Sequence, residues 1–127
     1  MNQTPGSDVL YEEQGAIAIL TLNRPAALNS FTRAIHRDLW AALDRVAANK
    51  AIRALVLTGA GRAFCAGADL SEFDFADGPG LQQRADPGPV IEQAFNPTTR
   101  RLLAVRVPTV CAVNGVAAGA GASVAMA

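Results

Sequence analysis

The stretch Arg53-Ala54-Leu55-Val56-Leu57-Thr58-Gly59-Ala60-Gly61-Arg62-Ala63-Phe64-Cys65-Ala66-Gly67-Ala68-Asp69-Leu70 decides the fold class. Its first six residues are a short apolar run, read as a buried strand, and Gly59-Ala60-Gly61 ends it. Loop residues follow to Leu70. On the N-terminal side, Thr32 to Asn49 reads as a helix. Ile35, Leu39, Ala42, Leu43 and Val46 recur at helical spacing. Arg33, His36, Arg37, Asp38, Asp44 and Arg45 fall mainly on the other face, and Thr32 is the expected N-cap. Further forward, Val9-Leu10-Tyr11 and Ala16 to Leu22 flank Gly15 as a hairpin, ended by Asn23-Arg24-Pro25. Residues 1–7 are expected to be a disordered tail, and residues 8–127 to form part of one domain.

On the C-terminal side, residues 71–90 hold Asp74, Asp77, Gly78, Pro79, Gly80, Asp86, Pro87, Gly88 and Pro89, and read as a surface loop. Val90 to Val105 reads as helical, with Asn96-Pro97 interrupting the pattern. Thr109 to Val113 is the third buried strand, Asn114-Gly115 turns the chain, and a helix opens from Gly119. Strands alternating with helices make the class α/β with substantial parallel pairing.

Composition sets the outer limits. The chain has 127 residues, 50% of them hydrophobic and 17% charged, which is enough apolar material for a core. Eleven Lys+Arg balance eleven Asp+Glu, so no basic excess points to nucleic acid or to a membrane surface. The two cysteines, Cys65 and Cys111, do not make a disulfide scaffold; they fit a reducing compartment, and a cytoplasmic location is expected. The N-terminus has neither a basic segment nor an apolar run of the signal-peptide kind. Val107 to Ala127 carries no charge, but Pro108, Asn114, Gly115, Gly119 and Gly121 interrupt it, so a buried strand-turn-helix is expected rather than a membrane span. An apolar ending is unusual for a soluble domain and reads as the front part of a longer one.

Two loops carry the chemistry. Gly59 to Leu70 and Asn114 to Ala122 each follow a buried strand and are rich in glycine and alanine. Small residues let a ligand approach the backbone, whose free N–H groups suit an anion or a developing oxyanion. Neither loop completes a dinucleotide fingerprint: the third glycine position falls at Phe64 in one and at Val124 in the other. Neither contains the Lys of a phosphate-binding P-loop. The plainer alternative is that the glycines only permit tight turns and close packing. His36, the single histidine, is expected on a solvated face, which leaves no metal site and no histidine-based triad. Cys65 and Cys111 read as inert packing residues. Asp69, Glu72, Asp74 and Asp77 read as a solvated acidic run, with Asp69 also placed to cap a helix at Leu70. Ser123 has no base nearby. Arg24, beside Pro25, suits a phosphate but is equally a surface arginine.

Taken together, Asn23-Arg24-Pro25-Ala26-Ala27-Leu28-Asn29-Ser30, then Leu57 to Leu70, then Val113 to Gly121, resemble the crotonase (enoyl-CoA hydratase/isomerase) superfamily, in order and at family spacing. Phe95-Asn96-Pro97, Arg100-Arg101-Leu102 and Cys111 to Ala122 further resemble its subgroup of ring-epoxide isomerases of phenylacetyl-CoA catabolism. The resemblance implies a spiral of ββα units, here its N-terminal portion, usually assembled as trimers or hexamers. It implies an acyl-CoA substrate and no separate cofactor, coenzyme A being part of the substrate. It places the backbone N–H groups of Ala68 and Ala120 in an oxyanion hole. Arg24, Ala26, Leu28, Ala66, Gly67, Asp69, Leu70, Val116 and Gly119 fall at the substrate and CoA positions. Hydratases of the family carry a glutamate where this chain has Ser123, and the family's other catalytic carboxylate would lie beyond residue 127. Serine alone is no general base at neutral pH. The departure favours isomerisation over hydration, and it leaves open a non-catalytic half that binds CoA or a partner chain.

Overall fold

The computed structural model describes residues 7–74 and 76–127. The expected tail lies outside the described residues except for Ser7, whose hydroxyl donates to the Val9 carbonyl at 2.6 Å. Strands β1 (Val9–Gln14) and β2 (Ile17–Leu22) form the hairpin, in antiparallel register from Val9↔Leu22 to Gln14↔Ile17. Helix α1 (Arg33–Ala48) crosses over to β3 (Ala54–Gly59), which pairs with β2 in parallel. A parallel return requires such a crossover. A turn leads from β3 into the short strand β4 (Ala63–Cys65). Strand β5 (Thr109–Ala112) joins the other side of β3, also in parallel, so the main sheet runs β1-β2-β3-β5. Strand β6 (Val116–Ala117) pairs with β4 in a separate two-stranded sheet.

The core lies between α1 and the sheet. Leu20, Leu22, Leu55 and Leu57 from the strands, with Ile35 and Leu39 from α1, are fully buried. Thr32 caps α1 as expected, its hydroxyl accepting the Ile35 N–H at 3.1 Å. The far end of α1 is held by Arg106, whose guanidinium donates to the carbonyls of Val46 (3.1 Å), Asn49 and Ile52 (3.0 Å). Of these, the Val46 carbonyl lies in the last turn of α1, where it has no helical donor.

The segment 71–90 departs from a plain loop. It holds a short helix, α2 (Leu81–Ala85), and the start of a helical stretch running to Leu103. That stretch comprises α3 (Gly88–Val90), a π-helical turn (Ile91–Phe95) and α4 (Asn96–Leu103). Proline at 97 has no N–H to donate and crowds the carbonyl four residues back. The helix continues because the preceding turn widens: the Asn96 N–H reaches Ile91, five residues back.

Two burial expectations are corrected. His36 is 1% exposed rather than solvated. The helical stretch 88–103 lies against its side of α1: Nδ1 sits 2.7 Å from Thr98 Oγ1, and the ring stacks on Phe31 and meets Phe95 edge-on. The second correction concerns residues 107–127. The strand, turn and helix α5 (Ala120–Met126) form, but they are not buried: Val110, Val113, Val116 and Met126 are exposed. Strand β5 is an edge strand, and no described element covers its outer side.

Candidate functional site

The two glycine-rich loops come together as neighbours. The Ala118 N–H donates to the Cys65 carbonyl at 3.0 Å, and β6 lies beside β4. At Gly121 an added β-carbon would run into the Cys65 carbonyl, so only glycine allows this approach. Gly67 has φ +109°, and a β-carbon there would lie 3.2 Å from the Ala118 carbonyl oxygen and 3.8 Å from the Ala120 nitrogen. These glycines therefore do the packing work of the plainer alternative, and that packing sets the two loop backbones side by side.

Ala68 and Ala120 sit where the loops meet. Ala68 forms a parallel bridge with Phe31, made by the Phe31 N–H to the Gly67 carbonyl (2.7 Å) and the Asp69 N–H to the Phe31 carbonyl (2.8 Å). A parallel bridge uses the groups flanking the bridged residue and leaves that residue's own N–H aside. Ala120 opens α5, where first-turn N–H groups have no helical acceptor. Among the described residues, neither N–H donates a hydrogen bond.

Both alanines line a cavity of about 480 Å³. Ala66, Gly67, Leu70 and Gly119 also line it, so six of the residues singled out in the sequence converge there. The rest of the lining is Phe73, Pro87, Val90, Ile91, Phe95, Asn96 and Thr99, with Ser123 and Val124 from α5. Among the described residues the lining contains no ionisable side chain. The wall drawn from residues 73–99 was not legible as site in the sequence, because its segment read as an irregular loop and an interrupted helix.

The remaining predicted residues lie around the loop rather than in the cavity. Arg24 Nη1 donates to Asp69 Oδ2 at 3.1 Å and to the Ser30 carbonyl at 2.7 Å. Asp69 also caps the turn Leu70–Glu72, accepting the Ser71 N–H at 2.9 Å. Hydrogen bonds from Ser71, then burial-opposed help from the Arg24 guanidinium, hold its carboxyl below the usual range. The Leu28 carbonyl accepts the Ala66 N–H at 3.0 Å, which docks the Asn23–Ser30 loop onto the cavity loop. Ala26 is exposed in a 3₁₀ turn, and Val116 is exposed on β6. The acidic run is dispersed among partners: Glu72 accepts the Arg33 N–H, and Asp74 pairs with Arg84 at 2.9 Å.

Two asparagines give the loops their shape, a role the sequence did not reveal. Asn29 is fully buried; its Oδ1 accepts the Arg24 N–H at 2.8 Å, and its Nδ2 donates to the carbonyls of Ala60 and Ala63, both at 2.9 Å. From the other loop, Asn114 Nδ2 donates to Gly61 (2.9 Å) and Ala63 (3.1 Å), while its Oδ1 accepts the Gly59 N–H at 3.1 Å. All three sequence motifs are thus tied at the β3–β4 turn. Cys65 and Cys111 are free thiols, and burial pushes both above their ordinary pKa, consistent with packing roles. Among the described residues no group of three His, Cys, Asp or Glu could hold a metal, and no helix is long and apolar enough to cross a membrane.

Residues 12–127 match the family model described as enoyl-CoA hydratase/isomerase. The chain belongs to that family. It is 45% identical over 119 residues to 1,2-epoxyphenylacetyl-CoA isomerase of Escherichia coli, covering 93% of this chain and 44% of that protein. It is 40% identical over 119 residues to a probable enoyl-CoA hydratase of Rhodobacter capsulatus, covering 94% and 43%. The fold superposes on an enoyl-CoA hydratase/carnitine racemase from Magnetospirillum magneticum with a TM-score of 0.83 at 30% identity, covering 98% of this chain and 45% of that one. A putative enoyl-CoA hydratase/isomerase from Mycobacterium abscessus gives 0.78 at 34%, covering 93% and 45%. The architecture is therefore that of the crotonase fold, and the chain spans somewhat under half the length of these enoyl-CoA hydratase/isomerase relatives.

Proposed function

We propose that the whole protein acts on an acyl-CoA thioester, with the N–H groups of Ala68 and Ala120 gripping the thioester oxygen as it becomes an enolate oxyanion. The observation that carries this reading is the pair of uncommitted backbone donors at an uncharged cavity. Fixed donors in such a site gain strength from the low local dielectric and need no reorganisation when charge develops. The CoA portion would run over the loop held by Arg24 and Asp69, past Ala26, Leu28, Ala66, Gly67, Leu70, Val116 and Gly119. No separate cofactor is required for proton transfer on a thioester. The assembly expected for the whole protein is a trimer or hexamer, and its expected compartment is the cytoplasm.

Isomerisation is the favoured reaction. It removes a proton from one carbon and returns it at another, so one acid/base group suffices. Hydration must also activate water, which calls for a second such group. By the family resemblance Ser123 stands where hydratases carry a glutamate, and among the described residues the cavity lining offers no carboxylate. In this reading the acid/base group is the family's other catalytic carboxylate, which the resemblance places beyond residue 127. The same absence favours a second reading, in which the 127-residue chain alone binds CoA or a partner chain without turnover; crotonyl-CoA hydration by that chain above the buffer blank would exclude it.

The test of the oxyanion role is Ala68→Pro against Ala68→Ser in the full-length protein. Serine keeps the donor and proline deletes it. Loss of one such donor typically costs about 10²–10³ in kcat. We expect Ala68→Pro to lose that much and Ala68→Ser to stay near wild type, with CoA affinity and Tm measured beside them. A folded Ala68→Pro protein turning over within a few-fold of wild type would remove Ala68 from the hole.

A further inference from the structure

One buried polar atom of this chain has no partner. His36 is 1% exposed, yet among the described residues its Nε2 makes no hydrogen bond. The other ring nitrogen, Nδ1, lies 2.7 Å from Thr98 Oγ1, and the Trp40 Nε1–H donates to that same oxygen at 2.7 Å. Thr98 is itself fully buried. An indole nitrogen can only donate, so the Thr98 hydroxyl accepts from Trp40 and has its own hydrogen left to give. Given to Nδ1, that hydrogen satisfies all three groups and assigns the imidazole hydrogen to Nε2. Burial and the nearby Arg33 charge keep the ring neutral at neutral pH. Nε2 is therefore a buried N–H donor without an acceptor, which native folds rarely leave standing.

The surroundings of His36 suit an anion. Arg33, His36 and Arg37 share one face of α1, three and four residues apart. With Trp40 and Gln93 they line a cavity of about 310 Å³, which shares no lining residue with the cavity of Ala68 and Ala120. Among the described residues that lining contains no carboxylate. The cavity lies at the N-terminal part of a 16-residue helix, where the helix dipole favours negative charge. The first turn of α1 holds no acidic residue and opens instead with Arg33. Glu72 accepts the Arg33 backbone N–H, while the Arg33 guanidinium donates to Gln93 Oε1 at 3.3 Å. Exposed guanidiniums find further partners in water; the buried Nε2–H does not.

We infer that this cavity binds a phosphate group, with the His36 Nε2–H donating to one oxygen and the guanidiniums of Arg33 and Arg37 closing on the others. Two guanidiniums match the charge of a dianion, and their forked donors fit its oxygens. The site is independent of the acyl-CoA reading.

The test is isothermal titration of the full-length protein with inorganic phosphate. We expect binding at about 1 mM or tighter. Arg37→Gln changes an exposed residue, and His36→Phe keeps a ring while deleting the donor. Each should weaken phosphate binding about 10-fold, the scale of one charge-assisted hydrogen bond, with Tm confirming a folded protein. Lys50→Gln removes the same charge just past the far end of α1 and should leave the affinity unchanged. Competition identifies the source of the phosphate. Displacement by coenzyme A assigns the site to a phosphate of that molecule, and simultaneous binding of both assigns it to free phosphate. No binding by the wild type, an affinity unmoved by Arg37→Gln, or an equal loss in Lys50→Gln overturns the site.

Discussion

Helices α1 and α5 are both alanine-rich and both sit beside parallel strands, yet their surroundings are opposite. Helix α1 buries Ile35, His36, Leu39, Ala42, Leu43 and Val46. Helix α5 buries only Gly121 and Val124, and Met126 at its end is 81% exposed. The difference does not come from apolar content, because residues 107–127 carry no charge at all. It comes from partners: α1 has a sheet beneath it and the 88–103 helical stretch beside it, whereas β5 and α5 stand at an uncovered edge. Exposed apolar surface of that kind drives association in solution.

The contrast can be broken first at its buried end. Leu39→Ala deletes a fully buried side chain of α1 and should cost about 2–5 kcal/mol in chemical denaturation. A loss below 1 kcal/mol would mean that the core beneath α1 is loosely packed.

A somewhat smaller effect is expected from His36. Burial, helped by the nearby Arg33 charge, lowers its pKa to about 4, against 6.5 in the unfolded chain. The unfolded state therefore binds the proton more readily as pH falls. His36's contribution to stability is full above about pH 6.5 and is lost between there and about pH 4. The swing is at most roughly 3 kcal/mol. Urea midpoints measured at pH 7 and pH 4.5 should show it, and His36→Gln should flatten it. An unchanged pH slope in His36→Gln would assign the acid sensitivity to other groups.

Asn29→Ala comes next. It takes the side-chain donor from the Ala60 carbonyl and the acceptor from the Arg24 N–H, while Ala63 keeps only Asn114, and should cost about 1–3 kcal/mol. Asn114→Ala, whose bonds lie nearer the surface, should cost less. If the order is reversed, the second loop rather than the first holds the β3–β4 turn.

The smallest effect belongs to the open edge. Val116→Ser, at 61% exposure, should move monomer stability by no more than about 0.5 kcal/mol. Its visible effect should be on association, read by sedimentation of Val116→Ser and wild type at matched concentration. Equal sedimentation would show that this surface does not drive self-association.

Much of this was legible in the residues. Local signals sufficed for the hairpin about Gly15, the Thr32 cap, the strand ended by Gly59-Ala60-Gly61 and the cap at Asp69. Turn chemistry, capping and short apolar runs act within a few residues and need no distant partner. The two alanine- and glycine-rich loops were readable as a candidate site for the same reason: small residues in sequence mean accessible backbone in space. Tertiary structure alone decided the rest. His36 is buried because Thr98 and Phe95, about sixty residues away, pack on it. Asn29 and Asn114 became clamps only when three loops met at Ala63. The part of the cavity wall between Phe73 and Thr99 arose from a segment whose local pattern looked broken. A helix face or an asparagine amide has no fixed surroundings until long-range contacts supply them, and those contacts leave no trace in neighbouring residues.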